Sequence, residues 1–266
     1  MIKAFDYSMA QQRAIKILER YKISTLPVNP ADIAKAEGLM VKEIGKSEPG
    51  VSGMLLRSGD RFGIMYSTYL HNQGFENFSI AHELGHFYLD GHIDHVFKAG
   101  DIHISNAGSF SKDQYEQEAD AFAASLLMPE SMLKDILWKI GDGFSAIESL
   151  SRLCNTSLTA SALRFTDLTE NFMIVIISTN NIIDYCRISK KVWNLKDIFI
   201  PKHGQKIPPN TITEKLYNNS NNTESMNHLS GDVDISDWLE TEKSYYATEE
   251  VIRLGKYERV LTVISK

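Results

Sequence analysis

The segment His82-Glu83-Leu84-Gly85-His86 sets two imidazoles four residues apart, a spacing that puts both on one face of an α-helix, one turn from each other. Neutral imidazole nitrogen binds zinc at about 2.0 to 2.1 Å, and two such ligands leave a tetrahedral site half filled. Glu83 stands between the ligands without being needed as one, so it is the carboxylate available to take a proton from water at the ion's open position. A third ligand must come from another element. Glu116-Gln117-Glu118-Ala119-Asp120 repeats the four-residue spacing with carboxylates, which makes Glu116 the third ligand and sets Asp120 one turn on. From there Asp120 is expected to accept the free ring N–H of a liganding histidine and so fix its tautomer. Glu118 is rotated about 200° from Glu116 and is expected to point away. The chemistry this set serves is hydrolysis of a peptide bond, with Zn2+ suiting the ligands best and manganese or iron as other ions the donors would accept.

His92, His95 and His103 follow in a polar stretch and are read as exposed rather than as ligands. Stabilising the oxyanion of such a reaction calls for an extra donor, for which Tyr66, Tyr69, Tyr88, His95, His103 and Tyr115 are candidates that the sequence does not rank.

The elements that must hold these groups can be outlined from periodicity. Ser8 to Tyr21 is helical, and Asn29-Pro30 reads as an N-cap and first residue of a second helix. Short β-type runs follow at Leu39–Ile44, Val51–Arg57 and Arg61–Tyr66, broken by Pro49-Gly50 and Gly59-Asp60, the last two runs forming a hairpin. A helix over Phe75–Leu89 carries the histidines, and Asp90 to Phe110 reads as a long loop. Ser111 with Gln114 matches a capping box for a helix from near Lys112 to Met128, ended by Pro129, with Leu126-Leu127-Met128 as core. Ser145 with Glu148 opens a further helix to Cys154, and the turn Asn155-Thr156-Ser157 leads to another through Arg164, a helix-turn-helix outline. Two candidate hairpins, about Asn180-Asn181 and about Gly255-Lys256, flank an Asn-rich stretch, Tyr217 to Asn227, that reads as a mobile surface loop. The fold class is α+β, divided into residues 1–130, a helical segment 131–169 and a small α+β domain 170–266.

Composition bounds the function. With 43% hydrophobic and 23% charged residues the 266-residue chain is that of an ordinary globular protein. A net charge of −6 argues against a protein built to grip nucleic-acid phosphates and points to protein or peptide partners. Lacking an apolar run of membrane-spanning length or a signal-like start, the chain is assigned to the cytoplasm with no membrane association, and its sequence is silent on oligomeric state. Cys154 and Cys186, outside any C-x-x-C pattern, read as reduced, buried thiols.

HELGH at 82–86 followed by EQEADAFAASLLMP at 116–129 closely resembles the ImmA/IrrE family of metallopeptidases. Residue by residue, the resemblance makes His82, His86 and Glu116 zinc ligands and Glu83 the catalytic glutamate. It covers roughly residues 8 to 168, including SLTASALRF in the helical segment, and departs at Asp120, where asparagine is common in the family. It implies a minimal zincin-like fold, a protein substrate that is a helix-turn-helix repressor cut at one site, and derepression of stress-response or mobile-element genes. For residues 170–266 it implies a sensor-like domain similar to GAF domains. The competing reading is a DNA-binding or partner-binding regulator with a non-catalytic zinc site. Residues 131–170 hold Lys134, Lys139, Arg152 and Arg164 against Asp135, Asp142, Glu148, Asp167 and Glu170, a balance that disfavours phosphate binding.

Overall fold

Helix α1 (Ser8–Arg20) buries Ala10, Ala14, Ile17 and Leu18, one stripe at helical spacing. The computed structural model describes residues 7–44, 50–106, 111, 113–195, 198–218, 228–239, 241, 246–255 and 259–266. After α1 come α2 (Pro30–Ala36), β1 (Met40–Ile44), β2 (Val51–Ser58), β3 (Arg61–Ser67), α3 (Gln73–Tyr88), α4 (His92–Val96), β4 (Ile102–Asn106) and α5 (Gln114–Leu127). Helices α6 (Glu130–Leu137), α7 (Gly143–Cys154) and α8 (Leu158–Leu168) follow. The chain ends in β5 (Met173–Thr179), β6 (Ile182–Ile188), α9 (Lys190–Trp193), α10 (Ile212–Asn218), β7 (His228–Asp234), α11 (Ile235–Trp238), β8 (Tyr246–Leu254) and β9 (Arg259–Ser265). This α+β chain forms two units, Met1–Lys134 with Ser151–Ala160, and Asp135–Leu150 with Ser161–Lys266, so residues 131–169 are shared between them.

In the first unit a four-stranded sheet has the order β1-β3-β2-β4, with β1 parallel to β3 and β2 antiparallel to both neighbours. Helix α3 begins at Asn72, whose side chain accepts the Phe75 N–H at 3.0 Å, and residues 79–86 are buried without interruption. A helix buried all round lies in the centre of its unit, and α3 packs between the sheet and α5. Leu55, Ile64, Leu84, Phe122 and Leu126 fill that interior, and Leu127 and Met128 are buried with them. Gly85 permits the closest approach: a Cβ there would sit 3.0 Å from the Ala119 Cα of α5. At the start of α3, Asn77 Nδ2 donates to the Asn155 carbonyl at 3.0 Å, and a Cβ on Gly74 would lie 2.3 Å from the Thr156 carbonyl carbon.

The structure corrects several expectations. Asp90 to Asn106 is not a loop. Gly91, at φ +80°, turns the chain into α4, and β4 then adds to the edge of β2. Ile102 and Ile104 face outward while His103 and Ser105 face inward, so the usual apolar-in alternation is inverted. The cap of α5 is Asp113, accepting the Tyr115 N–H at 2.9 Å, whereas Ser111 Oγ accepts from Asp113 N at 3.1 Å. Helix α7 opens at Gly143, two residues before the Ser145 expected to cap it.

The second unit holds a five-stranded antiparallel sheet, β6-β5-β9-β8-β7. β5 is buried along nearly its whole length because it lies inside the sheet with both faces covered. Asn180 and Asn181 turn the β5–β6 hairpin with φ of +51° and +64°, the pair of positive values a two-residue hairpin turn needs. Buried Glu249 accepts the N–H groups of Ile212 and Thr213 at 2.9 and 2.8 Å and so fixes the start of α10. Tyr217 and Asn218 close that helix, and residues 219–227 of the expected Asn-rich loop, like Lys256 of the second hairpin, lie outside the described residues.

Candidate metal centre

His82 and His86 leave α3 on one face, and their Nε2 atoms are 3.1 Å apart. Glu116, in the first turn of α5, brings Oε2 to 3.2 Å from His82 Nε2 and Oε1 to 3.3 Å from His86 Nε2. Four ligands at zinc–nitrogen and zinc–oxygen distances lie about 3.3 Å from one another at the corners of a tetrahedron; Glu116 meets the two rings near that spacing with different oxygens, and one ligand atom from each residue lies within 4.8 Å of the others. Two nitrogens and a carboxylate also suit the ion chemically. Asp120 Oδ1 lies 2.8 Å from His82 Nδ1, on the side of that ring away from the cluster.

Electrostatics sets the three donors apart. Burial lowers the His82 pKa, but the bonds to Asp120 and Glu116 outweigh it and carry the ring well above its ordinary value. His86 is pushed down to about 3, chiefly by burial. Burial alone would raise the Glu116 pKa, yet the bonds from His103, His82 and His86 override it and hold the carboxyl well below the usual range.

Glu83 is fully buried, and among the described residues neither carboxylate oxygen has a hydrogen bond of full geometry. Burial raises its pKa, opposed by His82, by nearby Ser105 and by His103. A buried carboxylate so weakly bonded costs stability and calls for a functional account. Gly53 of β2 makes room for it: a Cβ there would come within 2.7 Å of Glu83 Oε1. Sequence reading passed over Gly53, although glycine inside a strand is the available signal of a close approach.

His92 and His103 are not the exposed groups expected from the sequence, while His95 stays partly exposed. His92 is wholly buried, with Nδ1 3.1 Å from His86 Nδ1 and Nε2 3.1 Å from Glu118 Oε2, so Glu118, outside the cluster as expected, reaches it only through His92. The turn at Gly91 folds α4 back onto α5 and makes this contact. The intervals His82–His86–His92 equal those of the histidines in H-E-x-x-H-x-x-G-x-x-H, with Leu89 in the glycine position. Here, however, His92 meets His86 on its Nδ1 side, away from the cluster. His103 Nε2 lies 3.3 Å from Glu116 Oε1, and its ring packs 4.6 Å from that of His86. His95 stacks on Tyr115 at 3.8 Å and reaches Asp113 at 3.2 Å. Of the six candidate donors to an oxyanion, His103 touches the cluster directly, through Glu116 and the His86 ring.

A family model for the IrrE N-terminal-like domain matches residues 34–143, the stretch that holds His82, Glu83, His86 and Glu116. In sequence this stretch is similar to an IrrE N-terminal-like domain. Over 103 residues it is 33% identical to the metallopeptidase ImmA of Bacillus subtilis (strain 168), covering 38% of this chain and 55% of ImmA. Over 94 residues it is 29% identical to the radiation response metalloprotease IrrE of Deinococcus radiodurans, covering 35% of this chain and 28% of IrrE. The IrrE-like likeness thus spans about half or less of each relative. By shape, the chain is similar to a Mycobacterium tuberculosis transcriptional regulator, with a TM-score of 0.59 at 12% identity over 96% of this chain and 74% of the other, a likeness of fold alone.

Proposed function

We propose that this chain is a zinc-dependent endopeptidase that cuts a helix-turn-helix repressor at a specific site. The observation that supports it most is the pairing of Glu83, fully buried and without a hydrogen bond of full geometry, with three donors whose ligand atoms lie within 4.8 Å of one another. His82 Nε2, His86 Nε2 and a Glu116 oxygen would hold the zinc. When bound, the ion supplies a Lewis acid that acidifies water and polarises the scissile carbonyl.

Glu83 accepts a proton from the attacking water as its oxygen bonds to the carbonyl carbon. The same carboxyl then gives that proton to the amine nitrogen as the C–N bond breaks. Burial suits the first half of this cycle, since it stabilises the protonated state of Glu83. His103 is positioned to donate to the developing oxyanion. Asp120 holds His82 by its Nδ1–H. β4 is an edge strand among the described residues, and an extended substrate segment would pair along it, beside His103. Residues 1–130 are on this reading the peptidase domain, residues 131–169 a helical segment, and residues 170–266 a sensor-like domain acting in the cytoplasm.

Glu83→Gln keeps the shape and removes the base. With zinc loaded, its cleavage of a repressor encoded beside this gene is expected to fall by about 10²- to 10⁴-fold. Cleavage at the wild-type rate by that variant would sink the mechanism.

A further inference from the structure

We propose that His92 and Glu118 form a relay that fixes the tautomer and orientation of His86, an inference that rests on the metal-centre reading above. His86 directs Nε2 at His82 and Glu116, and its opposite nitrogen, Nδ1, at His92 Nδ1, 3.1 Å away. The far nitrogen of His92 is 3.1 Å from Glu118 Oε2, and the other oxygen of Glu118 accepts from Gln114 Nε2 at 2.7 Å.

Proton placement along this chain has one neutral solution. An ionised carboxylate only accepts, so His92 Nε2 must carry hydrogen. His92 Nδ1 is then bare and can only accept, which requires the hydrogen of His86 to be on Nδ1. His86 Nε2 is left with its lone pair aimed at the position between His82 and Glu116. The charge of Glu118, two rings away, thereby selects the nitrogen that ligates. Both rings are fully shielded from solvent, so water cannot stand in for either partner. His82 obtains the same service from Asp120 directly, at 2.8 Å, and the two ligands are oriented by separate carboxylates of α5. His92 is thus a positioning residue, and Glu118 acts through it.

The test is zinc affinity of the full chain, measured by competition with a chromophoric chelator. His92→Leu, which removes the acceptor, is expected to bind zinc about 10- to 100-fold more weakly than the wild type. His92→Asn, whose Oδ1 can take the place of Nδ1, is expected to recover affinity to within about threefold. Mere packing would give the opposite order, since leucine fills the space better than asparagine. Glu118→Ala, at a partly exposed position, is expected to weaken binding about tenfold. Wild-type affinity in His92→Leu, or no advantage of His92→Asn over it, overturns the relay. Should circular dichroism show His92→Leu unfolded, unchanged affinity in Glu118→Ala overturns it instead. A wild-type chain that binds no zinc fails the metal-centre reading itself, an outcome distinct from the variant pattern that fails the relay alone.

Discussion

At the candidate metal centre, residue size matters as much as residue chemistry. Gly53 has no Cβ where one would come within 2.7 Å of Glu83 Oε1. Gly53→Ala must therefore push the carboxylate aside, since the carboxylate is the free end of a flexible side chain and the strand is not. Displacing a reacting group by roughly an ångström costs on the order of 10²-fold in rate, so kcat/KM is expected to drop by about that much with zinc affinity close to the wild type. Steady-state assays paired with chelator competition would check this, and an unaltered kcat/KM would show that the contact does not position Glu83. The residues of the cluster were legible in the sequence because His82 and His86, or Glu116 and Asp120, are related by the geometry of a single helix. Gly53, His92 and Glu118 were not, because their partners are supplied by β2, α4 and α5 only after these elements have packed.

Among elements, α5 shows how a motif can be right in kind and displaced in place. Ser111 with Gln114 and Asp113 with Glu116 both fit the capping pattern, so the box that pointed to Ser111 does not by itself exclude Asp113. In the structure Asp113 accepts the Tyr115 N–H and also meets His95, while Ser111 serves Asp113. Asp113→Ala is accordingly expected to lower stability by about 1 kcal/mol, and Ser111→Ala by clearly less, as read from urea unfolding. The reverse ranking would return the cap to Ser111. Helices α1, α2, α3 and α5 and strands β1 to β3 followed from periodicity, caps and breakers. β4 did not, because its outward residues, Ile102 and Ile104, are the apolar ones and its inward residues, His103 and Ser105, face the site. A strand that serves a polar cavity loses the pattern by which strands are recognised.

For the whole molecule, charge gives the sharpest expectation. With a net charge of −6, the chain is expected to show no tight, salt-sensitive binding to duplex DNA in gel-shift titrations from low to physiological salt. Such binding would favour a DNA-binding regulator over the peptidase. Among the described residues no helix is long and apolar enough to cross a membrane. Chain connectivity carries a practical consequence. The polypeptide passes between its two units three times, since Ser151–Ala160 belongs with Met1–Lys134 while the residues on either side of that insert do not. A stop codon placed after Lys134 would strip away the Asn155 carbonyl and the Thr156 backbone, leaving the Asn77 amide without its acceptor and an open furrow beside Gly74. The helix that bears His82 and His86 would then be uncovered at its first turn, so a shortened gene meant to yield the unit that holds the candidate metal centre must run past residue 160.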